Sequence, residues 1–344
     1  MRPPPSLPPQ SDSDAALPVR PLEPAPAGGS RLRLLVSACL LGENVRYDGQ
    51  HKYAPFLVET LGRFVEFVRV CPEVDCGMPT PRPSMHLVGD PSSPRLVSRT
   101  GQDLTEQMLR FARAQVEHYA DLELCGYVCK KDSPSSGMTR VKVYPATEGR
   151  MPERTGAGLF TRTFMERYPL VPVEEEGRLN DPALREAFIE RIFCMRRWYD
   201  LVRGGLDRGR LVEFHADHKY LLLGHGRSGY TELGRLVAQA KRYSPAELYR
   251  RYHEGFAAVL AVRTTPKKLT DVLQHMMGFF KNDLEKDEKA ELVQLIADYK
   301  AGQVPLVVPL TLVKHYVRKF RVAYLERQVF LNPYPAELML RNHV

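Results

Sequence analysis

The 344-residue chain has one tryptophan, no apolar run near the roughly 18 residues that a membrane helix needs, and no excess of acidic side chains. No membrane partner is expected. Residues 1–30 contain no apolar core segment of the kind a secretory signal carries, so a cytoplasmic location is expected. Cysteine is sparse, with six residues (Cys39, Cys71, Cys76, Cys125, Cys129 and Cys194), and a reducing compartment makes them poor disulfide candidates. Each is then either a buried apolar residue or a ligand.

What is present reads as a soluble globular protein, 43% apolar and 26% charged, long enough for two domains with a core each. Residues 1–30 are Pro-, Ser- and Ala-rich with almost no large apolar side chain, which predicts a disordered tail. From Arg31 the pattern changes. RLRLLVSACL, GRFVEFVRVCPE and LELCGYVCKKDSPSSG each read as a short apolar strand running into a loop of small, polar or ligand-type residues, and VKVYP at 141–145 is a fourth candidate. Between them, 103–122 has the three-and-four spacing of an amphipathic helix behind Asp103. This alternation predicts an α/β domain with a mostly parallel sheet over 31–168, with its chemistry beyond the carboxyl ends of the strands. Residues 169–344 predict an all-α helical bundle. It opens at the Asn180-Asp181-Pro182 cap and continues in helical patterns at 206–222, 228–241, 244–262, 266–299 and 307–327.

The net charge of +8 lies entirely in the second half: residues 1–180 hold 22 basic and 22 acidic side chains, whereas 181–344 hold 27 and 19. A basic module beside a neutral one suits a polyanion held by the first and presented to the second, although a solvated basic surface gives the same count. KRYSPAELYRRYH (241–253) and KHYVRKFR (314–321) alternate cations with aromatics, as phosphate contacts with base stacking require. Lys241, Arg242, Arg250 and Arg251 are the candidate contacts. His215 and His218 lie three apart on one helix, but without a Cys, Asp or Glu at supporting spacing they read as a packed, partly polar face.

The chemistry-bearing segments are 37–52, 71–82 and 133–144, each too rich in Gly, Pro, Ser and charge for a core and each behind a strand. Cys39, Cys71 and Cys76 put three thiols on such loops, with Gly42, Gly49 and Gly77 allowing tight backbone around something bulky. Thiolates suit zinc or iron-sulfur. Structural zinc usually takes four ligands, often in paired C-x2-C spacing, which is not evident here. Three thiolates on a 4Fe-4S cluster would leave one iron open to bind substrate as a Lewis acid.

The conjunction of SACLLG, RYDG, CPE and SPS-x-G resembles the thiouracil desulfidase (TudS) family over residues 33 to about 165. HADHKYLLLGHGRSGYTELGRLVA (215–238) resembles the YbgA family, and the fusion of the two resembles the tRNA 4-thiouridine desulfidases. The resemblance implies an enzyme that removes sulfur from a thiolated nucleobase, with a 4Fe-4S cluster on three cysteines and a carboxylate and serine handling protons and positioning the base. Cys39 and Cys71 match the family's cysteines, and Glu73 and Ser133 match its catalytic pair. Many relatives read SPSCG where this chain has Ser136. Cys76, in a Gly-Pro-rich loop five residues after Cys71, is chosen as third ligand, with Cys129 and then Cys125 behind it.

Asp48 in RYDG is a third catalytic candidate or a turn residue closed by Gly49. Ser135 either contacts substrate or caps the following turn. The expected partners are tRNA and a thiolated nucleobase. The competing readings are a desulfidase of free thiouracil or thionucleoside, a tRNA-binding or repair-associated module with a structural cluster, and a noncatalytic zinc protein.

Overall fold

A computed structural model describes residues 31–145 and 151–343. The expected tail at 1–30 lies outside the described residues. The first strand, β1 (Leu32–Ser37), is LRLLVS, buried along nearly its whole length as the central strand of a parallel sheet must be. The chain continues through β2 (Val65–Val70), the short helix α1 (Pro72–Asp75), β3 (Met85–Val88), β4 (Arg95–Ser98) and α2 (Thr105–His118). Then come β5 (Leu124–Cys129), β6 (Val141–Tyr144), β7 (Glu153–Gly156), α3 (Leu159–Arg167) and β8 (Val173–Glu175).

Two four-stranded sheets form from these strands. One has the order β2-β1-β5-β8 and is parallel throughout, as expected from the sequence. The other has the order β4-β3-β6-β7, with parallel pairing only between β3 and β6. Of this second sheet the sequence signalled only β6. All four of its strands span four residues, but only β6, VKVY, alternates apolar with polar side chains throughout, whereas MHLV and RLVS set apolar residues side by side and ERTG has no large apolar residue. The parallel sheet also continues past residue 168, where the sequence reading ended the first domain, because β8 pairs with β5.

Side-chain alternation along β5 sends Tyr127 and Gly126 to opposite faces of that sheet. Tyr127 meets Phe160 and Phe164 of α3 in edge contacts at centroid distances of 6.1 and 5.2 Å. On the other face lies α4 (Pro182–Arg203), whose Ile192 and Phe188 side chains press so closely on Gly126 that a Cβ there would sit 2.6 and 3.3 Å from them. The first helix of the helical half is therefore also a layer of the α/β half, and one apolar core runs through both.

The remaining helices are α5 (Arg208–Asp217), α6 (Lys219–His225), α7 (Arg227–Ala238), α8 (Pro245–Ala261), α9 (Pro266–Met277), α10 (Lys286–Lys300), α11 (Val307–Lys319) and α12 (Ala323–Glu326). Asp181-Pro182, Ser244-Pro245 and Thr265-Pro266 begin α4, α8 and α9, with the polar side chain accepting from the first-turn N–H groups and proline filling a position that needs no donor. The helical pattern at 266–299 is two helices, because the chain turns at 278–285, where Phe280 is fully buried and α10 restarts on a Glu285/Glu288 capping box. No helix among the described residues is long and apolar enough to cross a membrane.

Candidate active site

The register Ser37↔Val70 and Val36↔Val128 brings the carboxyl ends of β1, β2 and β5 level, so the loops that follow share one end of the parallel sheet. They enclose a pocket of about 350 Å³ whose wall includes Cys39, Cys71, Glu73, Arg82, Lys130 and the run Ser133 to Ser136.

Cys39 sits in the 3-10 turn Ala38–Leu41, which ends at Gly42 with φ +96°, a left-handed backbone that only glycine adopts freely. Its carbonyl accepts from the Lys52 N–H at 2.8 Å, which ties the loop down. Cys71 precedes Pro72 at the start of α1, and its N–H donates to Asp75 Oδ2 at 2.9 Å. Both cysteines are 8% exposed. Burial pushes the Cys39 thiol up to about 12, helped by the neighbouring Cys71 and opposed by Lys130 and Arg46. Burial raises Cys71 as well. Such thiols stay protonated until a metal ion displaces the proton.

Glu73 is clamped from two sides. Arg82 donates to its Oε2 through both Nε and Nη2, while the Ser135 hydroxyl donates to Oε1 at 2.8 Å. Arg82, in turn, is fixed by the carbonyls of Pro79 and Val45 and by Thr80 Oγ1. The Ser135 Oγ lies 3.0 Å from Ser133 Oγ and 3.2 Å from Ser136 Oγ, so three hydroxyls and one carboxylate form a continuous polar chain. Arg82 lies in the segment 71–82 that the sequence marks as a site loop, but nothing in the sequence ties it to Glu73.

The other expected site residues fall elsewhere. Cys76 caps the end of α1, half-buried, with its thiol donating to Glu73 O at 3.2 Å, and it does not line the pocket. Cys125 and Cys129 are buried within β5, donating to Glu123 O and Glu174 O. Among the described residues, no three His, Cys, Asp or Glu side chains converge so as to hold a metal ion. Asp48 is also absent from the pocket wall: it accepts from Arg46 and from the Gln50 N–H in the turn closed by Gly49. Its hydrogen bonds with Arg46 hold its carboxyl below the usual range.

In the helical half, His215 contacts Tyr252 OH at 3.0 Å and His218 Nδ1 donates to Phe214 O at 2.7 Å, both packed among aromatic rings. Arg250 pairs with Glu254 and Arg251 with Glu247, one turn apart, and Arg242 donates to Gln239.

Residues 34–176 match the family model described as 2-thiouracil desulfurase. Residues 219–335 match one described as a protein of unknown function (DUF1722). Among curated proteins, YbgA of Escherichia coli (strain K12) is 31% identical over 153 residues, which cover 44% of this chain and 90% of that protein. YbbK of Bacillus subtilis (strain 168) is 29% identical over 110 residues, covering 30% and 72%. Both are described as uncharacterized. The solved structure of the 4Fe-4S-dependent thiouracil desulfidase TudS is 30% identical, with 46% of this chain and 99% of that one covered and a TM-score of 0.38. By the matched desulfurase model over 34–176 and the 31% identity that covers 90% of YbgA, the chain is a TudS-type desulfidase with a YbgA-type helical domain fused to it.

Proposed function

We propose that the pocket binds a thiolated pyrimidine and that the enzyme replaces its thiocarbonyl sulfur by oxygen without net redox change, acting on 4-thiouridine in tRNA to give uridine. The observation that carries this reading is the convergence of two thiols and a clamped carboxylate–hydroxyl pair on one pocket at the end of the parallel sheet. Cys39 and Cys71 line the pocket from two loops and serine hydroxyls line it from a third, so it offers two of the three thiolates such a cluster takes, and the cations on its wall, Arg46, Arg82 and Lys130, are already paired with Asp48, Glu73 and Glu176. When bound, the cluster supplies a Lewis-acidic iron for the thiocarbonyl sulfur.

The balance of the reaction is a thiocarbonyl and water giving a carbonyl and hydrogen sulfide, so both protons must leave the attacking water and two must reach the departing sulfur. Glu73 is the carboxylate in position to do both. Arg82 occupies Oε2, which leaves Oε1 as the proton-handling atom and Ser135 as the hydroxyl that aims it. Ser133 continues that chain along the pocket wall.

Delivery as tRNA draws its support from the basic excess beyond residue 180. The ion pairs of Arg250 and Arg251 do not oppose it, since exposed pairs one turn apart contribute only about 0.3–0.5 kcal/mol and phosphate competes with them readily. A free thiolated base is the second reading, favoured by the thiouracil of the TudS relative. The test is to incubate anaerobically reconstituted protein with thiolated tRNA, 4-thiouridine and 2-thiouracil and to analyse the digested products. Conversion of 4-thiouridine to uridine within tRNA, falling steeply with salt as counterions re-associate, supports the tRNA reading. Turnover of free base alone leaves the second reading standing.

A further inference from the structure

The second sheet carries a pocket of its own that the desulfuration chemistry leaves unused. It encloses about 260 Å³ beside His86, Lys142, Tyr144 and Arg154, and it shares Met85 and Pro134 with the wall of the reaction pocket. We propose that this second pocket is a subsite for the nucleotide next to the thiolated one in a single-stranded stretch of RNA, with Tyr144 stacking its base and Lys142 and Arg154 holding the phosphodiester between the two. This rests on the reading of the first pocket as the place where the thiolated pyrimidine binds.

Strand alternation builds the aromatic part of the site. Leu87 of β3 and Val143 of β6 are paired across the ladder and buried, so His86, Lys142 and Tyr144 point to the opposite face of the sheet. Tyr144 is 39% exposed, and its ring meets the His86 ring edge-on, with centroids 5.2 Å apart and 80° between the planes. An exposed tyrosine braced by a second ring is the kind of fixed platform on which bases stack.

The charges beside that platform are arranged against the stability of the sheet. Lys142 stands directly opposite Arg154 in the antiparallel β6–β7 ladder, where like charges repel. Arg154 turns to Asp132 at 3.2 Å, while Lys142 is exposed and has no ion pair among the described residues. An anion lying between Lys142 and Arg154 converts their repulsion into attraction to a common partner. Two cations against the one carboxylate of Asp132 leave a single positive charge. That matches a phosphodiester, with one negative charge, better than a terminal phosphate, which carries about 1.5 to 2 at pH 7.

Met85 and Pro134 form the ridge between the two pockets. The thiolated base turns into the first pocket, its neighbour lies on Tyr144, and the backbone crosses the ridge. The two bases must part from each other for this, which a loop or single strand allows and a duplex resists. Because every base has a face to stack, the subsite accepts any neighbour and selects for a polynucleotide rather than for a sequence.

The test uses the full chain with three probes: a uridine trinucleotide carrying 4-thiouridine at its centre, 4-thiouridine itself, and 4-thiouridine 5′-monophosphate. Binding is measured by equilibrium dialysis, sulfide release after anaerobic reconstitution, and folding by circular dichroism. The expected result is that the native chain binds the trinucleotide more tightly than either small probe. Tyr144→Ala weakens trinucleotide binding by about 5-fold or more, the range for losing one stacked base, whereas Tyr144→Phe retains it. Lys142→Ala lowers the slope of log affinity on log salt by about 0.7, the share of one single-strand phosphate. All three variants treat 4-thiouridine as the native chain does. Equal native affinity for trinucleotide and nucleoside overturns the proposal, as does a loss in Tyr144→Ala that is the same for both. A monophosphate that binds as tightly as the trinucleotide, with Tyr144→Ala silent, also overturns it, since the pocket then takes only a terminal phosphate. A native chain that releases no sulfide from any probe overturns instead the reading of the first pocket, and the binding measurements still decide the second.

Discussion

Replacing Glu73 by glutamine separates the carboxylate's structural work from its chemical work. The amide keeps the size of the side chain and can still accept from Arg82 or Ser135, but it cannot exchange a proton at neutral pH. Removing one partner of a buried ion pair typically costs about 3–5 kcal/mol because the other charge is left alone. Arg82 is not left alone here: it keeps its bonds to Pro79 O, Val45 O and Thr80 Oγ1, so the cost should resemble a weakened hydrogen-bond set, about 1–3 kcal/mol. The protein should therefore fold and load iron normally. Loss of a positioned acid/base should slow desulfuration by about 100-fold or more, equivalent to about 2.7 kcal/mol of barrier. Iron content, a thermal unfolding midpoint and the rate of sulfide release from 4-thiouridine in tRNA measure the three effects separately. A Glu73→Gln enzyme with normal iron and a rate within about 3-fold of the native one would sink the assignment, because no ordinary general acid/base is that dispensable.

Gly126→Ala should destabilise the protein by roughly 1–3 kcal/mol, since its Cβ would lie 2.6 Å from Ile192 and 3.0 Å from Leu34 and force α4 off the sheet; Ile192→Val should recover part of the loss in denaturant midpoint, and simple additivity of the two changes would contradict the contact. Burial pushes His215 and His218 down from 6.5 to about 4 and about 3, so both stay neutral in the fold at pH values where the unfolded chain protonates them. Their contribution is intact above pH 6.5 and disappears as pH falls toward those lower values, at up to about 1.4 kcal/mol per pH unit for each residue. Urea midpoints measured between pH 7 and pH 4 should thus fall less steeply in His218→Gln than in the native chain, and parallel curves would show that His218 is not part of the acid sensitivity.

The sequence by itself determined the parallel sheet, the starts of the long helices and the three loops that carry chemistry, because each of these has a local cause. An apolar run such as LRLLVS has to be buried on both faces, and Asp181-Pro182, Ser244-Pro245 and Thr265-Pro266 satisfy helix ends within a few residues of themselves. Cys39, Cys71, Glu73, Ser133 and Ser135 were legible for the same reason: each lies just past a strand, where a parallel sheet gathers its functional loops. Distances between loops have no such local signature. That Asp48 turns back on Arg46, that Arg82 reaches across nine positions to clamp Glu73, and that α4 serves both halves of the molecule depends on how the layers pack. The same holds for the third wall of the pocket. Five positions in sequence made Cys76 a natural neighbour of Cys71, but one helical turn points its thiol at the Glu73 carbonyl, while Ser136, sixty-five positions from Cys71, is carried to the pocket because β5 pairs with β1.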